Sequence, residues 1–254
     1  MKIVTLMENT SCREDLCCEH GLSLYLETES HKILFDAGQS AAFADNAEKL
    51  GADLDKVDFA VLSHGHYDHG GGLGRFLEIN EHAPVYVSGF AFEPHYGQNG
   101  YIGLERSLQD TGRMISVLEE TKLADDITLC RIETSPMDTA GLLMEEDGER
   151  KPDDFRHEQY LLVEEKEKRI LISGCSHKGI LDIVDAFRPD ILIGGFHFMK
   201  ITEEEKLQQA AQKLLEYDTI YYTGHCTGQQ QYAYLKTIMG DKLHYISAGT
   251  VLEL

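Results

Sequence analysis

The stretch Ser63-His64-Gly65-His66-Tyr67-Asp68-His69-Gly70-Gly71-Gly72-Leu73 constrains the fold more than any other part of the chain. Three histidines and one aspartate fall within six residues. His64 and His66 are two apart, so an extended backbone sends both imidazoles to one side. Asp68 and His69 follow at once and can face a second point nearby. Imidazole with carboxylate suits zinc, iron or manganese better than calcium or magnesium. Glycine permits tight turns, and three in succession weaken any ordinary strand or helix. Residues 57–62 ahead of the motif read as a buried strand, and Leu73–Ile79 after it as a helix. The motif is therefore expected as a loop at the C-terminal end of a strand, where open α/β sheets place their ligands. The alternative is a histidine-rich surface loop, and the density of ligands at that place argues against it.

Acidity narrows the function. The chain has 44 Asp and Glu against 23 Lys and Arg, a formal charge of −21 over 254 residues. Such a surface repels phosphate backbones, and no basic run appears, which counts against a nuclease. Bound metal cations would offset some of that charge locally. The apolar fraction of 42% suits a soluble globular protein. No apolar run reaches the about 18 residues of a membrane span, and Met1-Lys2-Ile3-Val4-Thr5-Leu6 lacks the pattern of a signal peptide. A cytoplasmic protein is expected, acting on a small molecule, with no nucleic acid or membrane partner. Its six cysteines are then expected as thiols. The Cys-X4-Cys-Cys spacing of Cys12, Cys17 and Cys18 fits no zinc pattern, whereas Cys175 and Cys226 stand beside candidate ligand histidines.

Taken in order, Lys2–Met7 reads as a strand and residues 8–19 as a polar loop. Residues 22–26 and 32–35 read as a hairpin that runs into Asp36. Residues 41–50 read as a helix closed by Gly51, and 84–88 as a strand. From 90 to 126 the pattern weakens, and an irregular lid or pocket wall is expected there. His95 within it is either a substrate contact or a surface histidine. Residues 127–133 read as a strand, and 145–154 as a solvated, charged loop without a site. Residues 159–164 and 169–173 form a second hairpin that leads into Gly174-Cys175-Ser176-His177. After the helix Ile180–Phe187, strands at 190–193 and 219–222 end in Gly194-Gly195-Phe196-His197 and Thr223-Gly224-His225-Cys226. A helix at 202–217 is expected to start with a capping box, Thr202 with Glu205. Gln229–Met239 reads as a helix and 244–246 as a last strand. No linker or composition break appears, so one domain spanning 1–254 is expected.

The motif His-X-His-X-Asp-His resembles the signature of the metallo-β-lactamase-fold hydrolases. Gly-Cys-Ser-His, Gly-Gly-Phe-His, His-Cys-Thr-Gly and Phe-Asp-Ala-Gly-Gln resemble one subgroup more narrowly. It is the branch that includes the archaeal 7,8-dihydropterin-6-yl-methyl-4-(β-D-ribofuranosyl)aminobenzene 5′-phosphate synthase. The resemblance implies an α/β (α+β) fold, a four-layer αββα sandwich with two mixed β-sheets. It implies two metals side by side, one held by His64, His66 and a later histidine, the other by Asp68, His69 and His225. His177 is the favoured later histidine and His157 its rival. Asp68 is implied to orient the attacking water as well as to ligate. His197 matches a subgroup position, either as a group acting on substrate or as a core residue. Asp36 is implied to support the metal loop, with a turn or helix cap as the alternative. Where most relatives carry a bridging aspartate, this chain has Cys175, either a soft ligand or a small buried residue. Zinc is the metal expected, as one or two ions, with iron or manganese as alternatives. The activity implied is metal-dependent hydrolysis of a small molecule, with or without a phosphate group. The alternatives are a transferase of the pterin synthase type and a metal or ligand sensor without turnover.

Overall fold

The computed structural model describes every residue except 135 and 137–140. The chain forms two compact units: residues 1–118, 141–158 and 247–254, and residues 119–134, 136 and 159–246.

The first unit is built on a seven-stranded mixed sheet. Its strands, in spatial order, are Val251–Glu253, Lys2–Met7, Ser23–Glu27, Lys32–Phe35, Phe59–Val61, Val85–Ser88 and Met114–Val117. The expected hairpin is present, with Leu24 opposite Phe35 and Glu27 opposite Lys32. From Lys32–Phe35 onward the strands are parallel. Their C-terminal ends therefore share one edge, which is where Asp36 and the histidine motif emerge. The helix Ala42–Leu50 packs Phe43, Ala44 and Ala47 into the core of this unit. It ends at Gly51 in the left-handed conformation, φ 72°, as the sequence led one to expect.

Two expectations for this unit change. The stretch 90–126 is more regular than its pattern suggests. Within the first unit it supplies strands His95–Gly97, Gly100–Tyr101 and Met114–Val117 and a short helix, Arg106–Thr111. These strands are short, which hides their period. The charged run 145–154 is no plain solvated loop either. Leu143–Glu146 and Glu149–Pro152 pair as a hairpin in a separate four-stranded sheet. Asp147 and Gly148 turn it with φ of 53° and 82°, the left-handed pair that suits a twisted hairpin. Its far end buries Asp153.

The second unit carries its own seven-stranded mixed sheet, in the order Leu243–Tyr245, Ile220–Thr223, Ile191–Ile193, Lys168–Ile172, Tyr160–Glu165, Ile127–Cys130 and Thr121–Ala124. The first four are parallel neighbours. The loops that follow three of them bear His177, His197 and His225, again along one edge. The helices Ile180–Phe187, Glu204–Leu215 and Gln229–Met239 bury Ile183, Val184, Leu207, Ala211, Leu214 and Leu235 against this sheet. The capping box is not formed: the helix begins at Glu204, preceded by Glu203, without a side-chain cap. Thr202 instead contacts the carboxylate of Glu203.

Candidate metal centre

In the first unit the motif folds as a turn followed by one helical turn, Tyr67–Gly70. His66 precedes that turn in extended conformation, φ −96° and ψ 147°. Its glycines are required by space rather than by φ. A Cβ on Gly72 would lie 2.1 Å from the Ala37 carbonyl oxygen, and one on Gly65 2.1 Å from that of Ala91. His64, His66, Asp68 and His69 are all buried. The ring of His64 lies 4.6 Å from that of His66 and 4.2 Å from that of His69. Asp68 reaches to 3.9 Å from His69 Nε2. The four sequence-predicted ligands of this unit thus converge.

Asp36 organises them. It sits just past its strand with φ 58°. Its carboxylate accepts hydrogen bonds from the Ser63 backbone N–H and hydroxyl, both at 2.7 Å, and from His69 Nδ1 at 2.6 Å. A carboxylate only accepts, so His69 carries its proton on Nδ1 and turns the Nε2 lone pair the other way. The supporting role implied for Asp36 is what these contacts describe; it caps no helix. Burial opposes charge on His69, but the neighbouring carboxylates of Asp36 and Asp68 outweigh it and raise the pKa, so a metal would have to displace an Nε2 proton held more tightly than usual. For His66, burial and then His157 depress the pKa well below the ordinary value. A neutral imidazole is the form that ligates. Three buried imidazoles and one carboxylate, one of them already tied to a supporting carboxylate, fit a zinc-type ion.

Three further groups stand here: His20 and Asp153, which carry no signal in the sequence, and His95, expected as a substrate contact or a surface histidine. His20, half-exposed, stands 3.2 Å from Asp68 Oδ2. His95 and Asp153 are fully buried and joined through Nδ1 at 2.8 Å. His95 is therefore no surface residue. No periodic signal marks any of the three. His157 also lies in this unit, with Nδ1 2.8 Å from the Gly65 N–H.

In the second unit His177 and His197 pack ring to ring at 4.2 Å. His225 lies with Cys175 and Cys226, their ligand atoms within 4.8 Å of one another, all three buried. The Cys226 thiol faces the Cys175 carbonyl oxygen at 3.5 Å. Ser176, His197 and His225 all have positive φ, 57°, 57° and 48°. Such conformations cost about 1–2 kcal/mol each for residues with a Cβ, and they concentrate where function fixes the backbone. Cys12, Cys17 and Cys18 are exposed free thiols, and Cys130, Cys175 and Cys226 are buried ones.

Known proteins bear this architecture out. The family model for the metallo-beta-lactamase superfamily matches residues 18–225. The chain belongs to that superfamily, whose fold its mixed sheets and helices share. A structure described as Tm1679, a metal-dependent hydrolase of the beta-lactamase superfamily, is 30% identical, with a TM-score of 0.83 over 100% of this chain and 99% of that one. A 7,8-dihydropterin-6-methyl-4-(beta-D-ribofuranosyl)-aminobenzene-5′-phosphate synthase of Methanocaldococcus jannaschii is 31% identical, covering 100% of this chain and 96% of its own length. An uncharacterized protein of the same organism is 31% identical across 89% of this chain and 90% of its own. No described helix is long and apolar enough to cross a membrane.

Proposed function

We propose that the protein is a cytoplasmic metal-dependent hydrolase acting on a small molecule, with phosphorylated compounds among the candidate substrates. The observation that carries this reading is the Asp36–His69–Ser63 arrangement, which presents four buried ligand side chains with one tautomer already fixed. His64, His66, Asp68 and His69 are the ligands of this reading, with His177 and His225. A divalent ion held by such residues supplies a hydroxide nucleophile at neutral pH and polarises a carbonyl or phosphoryl oxygen. Asp68 would accept a hydrogen bond from the attacking water and orient it. His197, partly exposed, acts on the substrate side. The acidic surface disfavours polynucleotide substrates.

Elemental analysis of protein purified without added metal tests this, together with a screen of phosphodiesters before and after chelation. About one or two equivalents of zinc, with hydrolysis lost on chelation and restored by zinc, is the expected result. Absence of metal even after reconstitution would overturn it. Similarity to the pterin synthase along the whole chain favours a second reading, a transferase that joins a pterin to an aminobenzene ribose phosphate. Under that reading a pterin diphosphate is consumed only when the amine is present.

A further inference from the structure

We propose that His157 is a positioning residue. With Asp153 and His95 it forms a buried chain that grips the Gly65 peptide, the link between His64 and His66, and so sets where those two imidazoles point. The proposal rests on the metal-centre reading only for what the pair holds; the brace lies wholly within the first unit.

Proton bookkeeping fixes the chain's direction. The Gly65 N–H can only donate, so His157 Nδ1, at 2.8 Å, must carry the lone pair. The proton of His157 is then on Nε2, which faces Asp153 Oδ2 at 3.4 Å. That contact is longer than an ideal hydrogen bond and acts mainly by charge. The same carboxylate takes His95 Nδ1 at 2.8 Å, and its other oxygen takes the Phe155 N–H at 2.8 Å. Every partner agrees on one tautomer for each ring. Asp153, Phe155, His157 and His95 are no more than 1% exposed.

The local backbone is bent to make this contact. Phe155, a fully buried aromatic residue, sits at φ 51°, a conformation that persists only when the surroundings fix it. The bend brings Asp153 and His157 to one point. Gly65 is held from the other side as well, because the Ala91 carbonyl lies where a Cβ would be. The rings of His95 and His157, 3.9 Å apart, also wall the His66 ring at 5.5 and 5.2 Å.

The spacing of this cluster would also suit a metal, since ligand atoms of His66, His95, Asp153 and His157 lie within 4.8 Å of one another. Tautomer chemistry decides against it. A metal on His157 Nε2 would displace that proton while Nδ1 still accepted from Gly65, leaving an anionic imidazole.

The test compares wild type with His157→Asn and His157→Leu. An asparagine Oδ1 can stand where Nδ1 accepts from Gly65; leucine cannot. Zinc affinity is read by competition with a chromophoric chelator, and the tautomer of wild-type His157 by long-range proton–nitrogen NMR on metal-free protein. The expected result is an Nε2–H tautomer, with zinc affinity falling roughly 10- to 100-fold in His157→Leu and largely recovered in His157→Asn. An Nδ1–H tautomer, or asparagine no better than leucine, would overturn the brace. A zinc anomalous-diffraction peak among His66, His95 and His157 would replace it with a metal site. Wild type without zinc affinity would sink the metal-centre reading alone, and the tautomer would still decide the brace.

Discussion

Asp36 offers the sharpest separation of structural from metal-holding effects. Its carboxylate accepts three hydrogen bonds between 2.6 and 2.7 Å, from groups in Ser63 and His69 that have no solvent exposure. Asp36→Ala strands three buried donors. Each orphan costs about 1–3 kcal/mol, less than additively when they share a site, so about 3–5 kcal/mol is expected. Asp36→Asn behaves differently. Its carbonyl oxygen still serves the Ser63 N–H, and the Ser63 hydroxyl can rotate to accept from the amide. His69 is the group that cannot adapt without consequence. Facing an N–H, its Nδ1 must accept, and its proton moves to Nε2, the atom offered to the metal. Asp36→Asn should therefore lose only about 1–2 kcal/mol of stability yet about 10- to 100-fold in zinc affinity. Urea denaturation of the metal-free protein and chelator competition measure the two quantities. Zinc affinity unchanged in Asp36→Asn would refute the tautomer argument, whatever the stability.

Space rather than chemistry governs Gly72: a Cβ there meets the carbonyl oxygens of Ala37 at 2.1 Å and Ser40 at 2.6 Å, so Gly72→Ala should cost at least about 3 kcal/mol in urea unfolding. Gly74, in the next helix with nothing near its Cβ position, should gain about 0.5–1 kcal/mol as alanine, and equal effects at the two sites would count against the close approach. In the native state alkylation should label Cys12, Cys17 and Cys18 quickly, and all six cysteines only after unfolding; burial pushes the Cys130 thiol up to about 12, so it should be the slowest. Burial, then the charge of His95, lowers His157 to about 4 from 6.5. Between those values the unfolded chain binds a proton that the folded one refuses. Metal-free protein should thus lose stability as pH falls from 6.5 towards 4, by about 1.4 kcal/mol per pH unit for this group. A shallower slope in His157→Asn would check the assignment.

The parts of the fold visible in the sequence are those set by local pattern. Apolar strands of three to six residues, followed by glycine and a polar loop, marked most of both parallel edges, Met114–Val117 excepted, because strand burial and the break after it are local properties. The boundary at Gly51 was legible for the same reason. Pairing across long separations was not. The strand Val251–Glu253 closes the first sheet against Lys2–Met7, although its few residues have too short a period to announce it. The charged run 145–154 misled because charge density averages over a hairpin that turns Met144 inward and leads straight into the buried Asp153. Of the candidate centre, His64, His66, Asp68 and His69 were visible through spacing. Their supports were divided: Asp36 was reached through resemblance, while His95 and Asp153 are ordinary residues until the backbone brings them to His157.

Backbone strain connects the two halves of this picture. Asp36 in the first unit and Ser176, His197 and His225 in the second all have positive φ just beyond the end of a sheet strand. None is glycine, so each forgoes about 1 kcal/mol or more that glycine would recover. Glycine would remove the side chain that the turn exists to aim. For Asp36 that side chain holds Ser63 and His69, and the strain is therefore carried for its carboxylate. Under the proposed function, the same reasoning would make His197 and His225 residues whose imidazoles, rather than their backbones, the loops are shaped to present. At His197, which is only partly buried, a glycine should cost the metal-free protein little, while zinc affinity or turnover falls. Loss of stability on removing the strained imidazole would instead show that it is a packing residue.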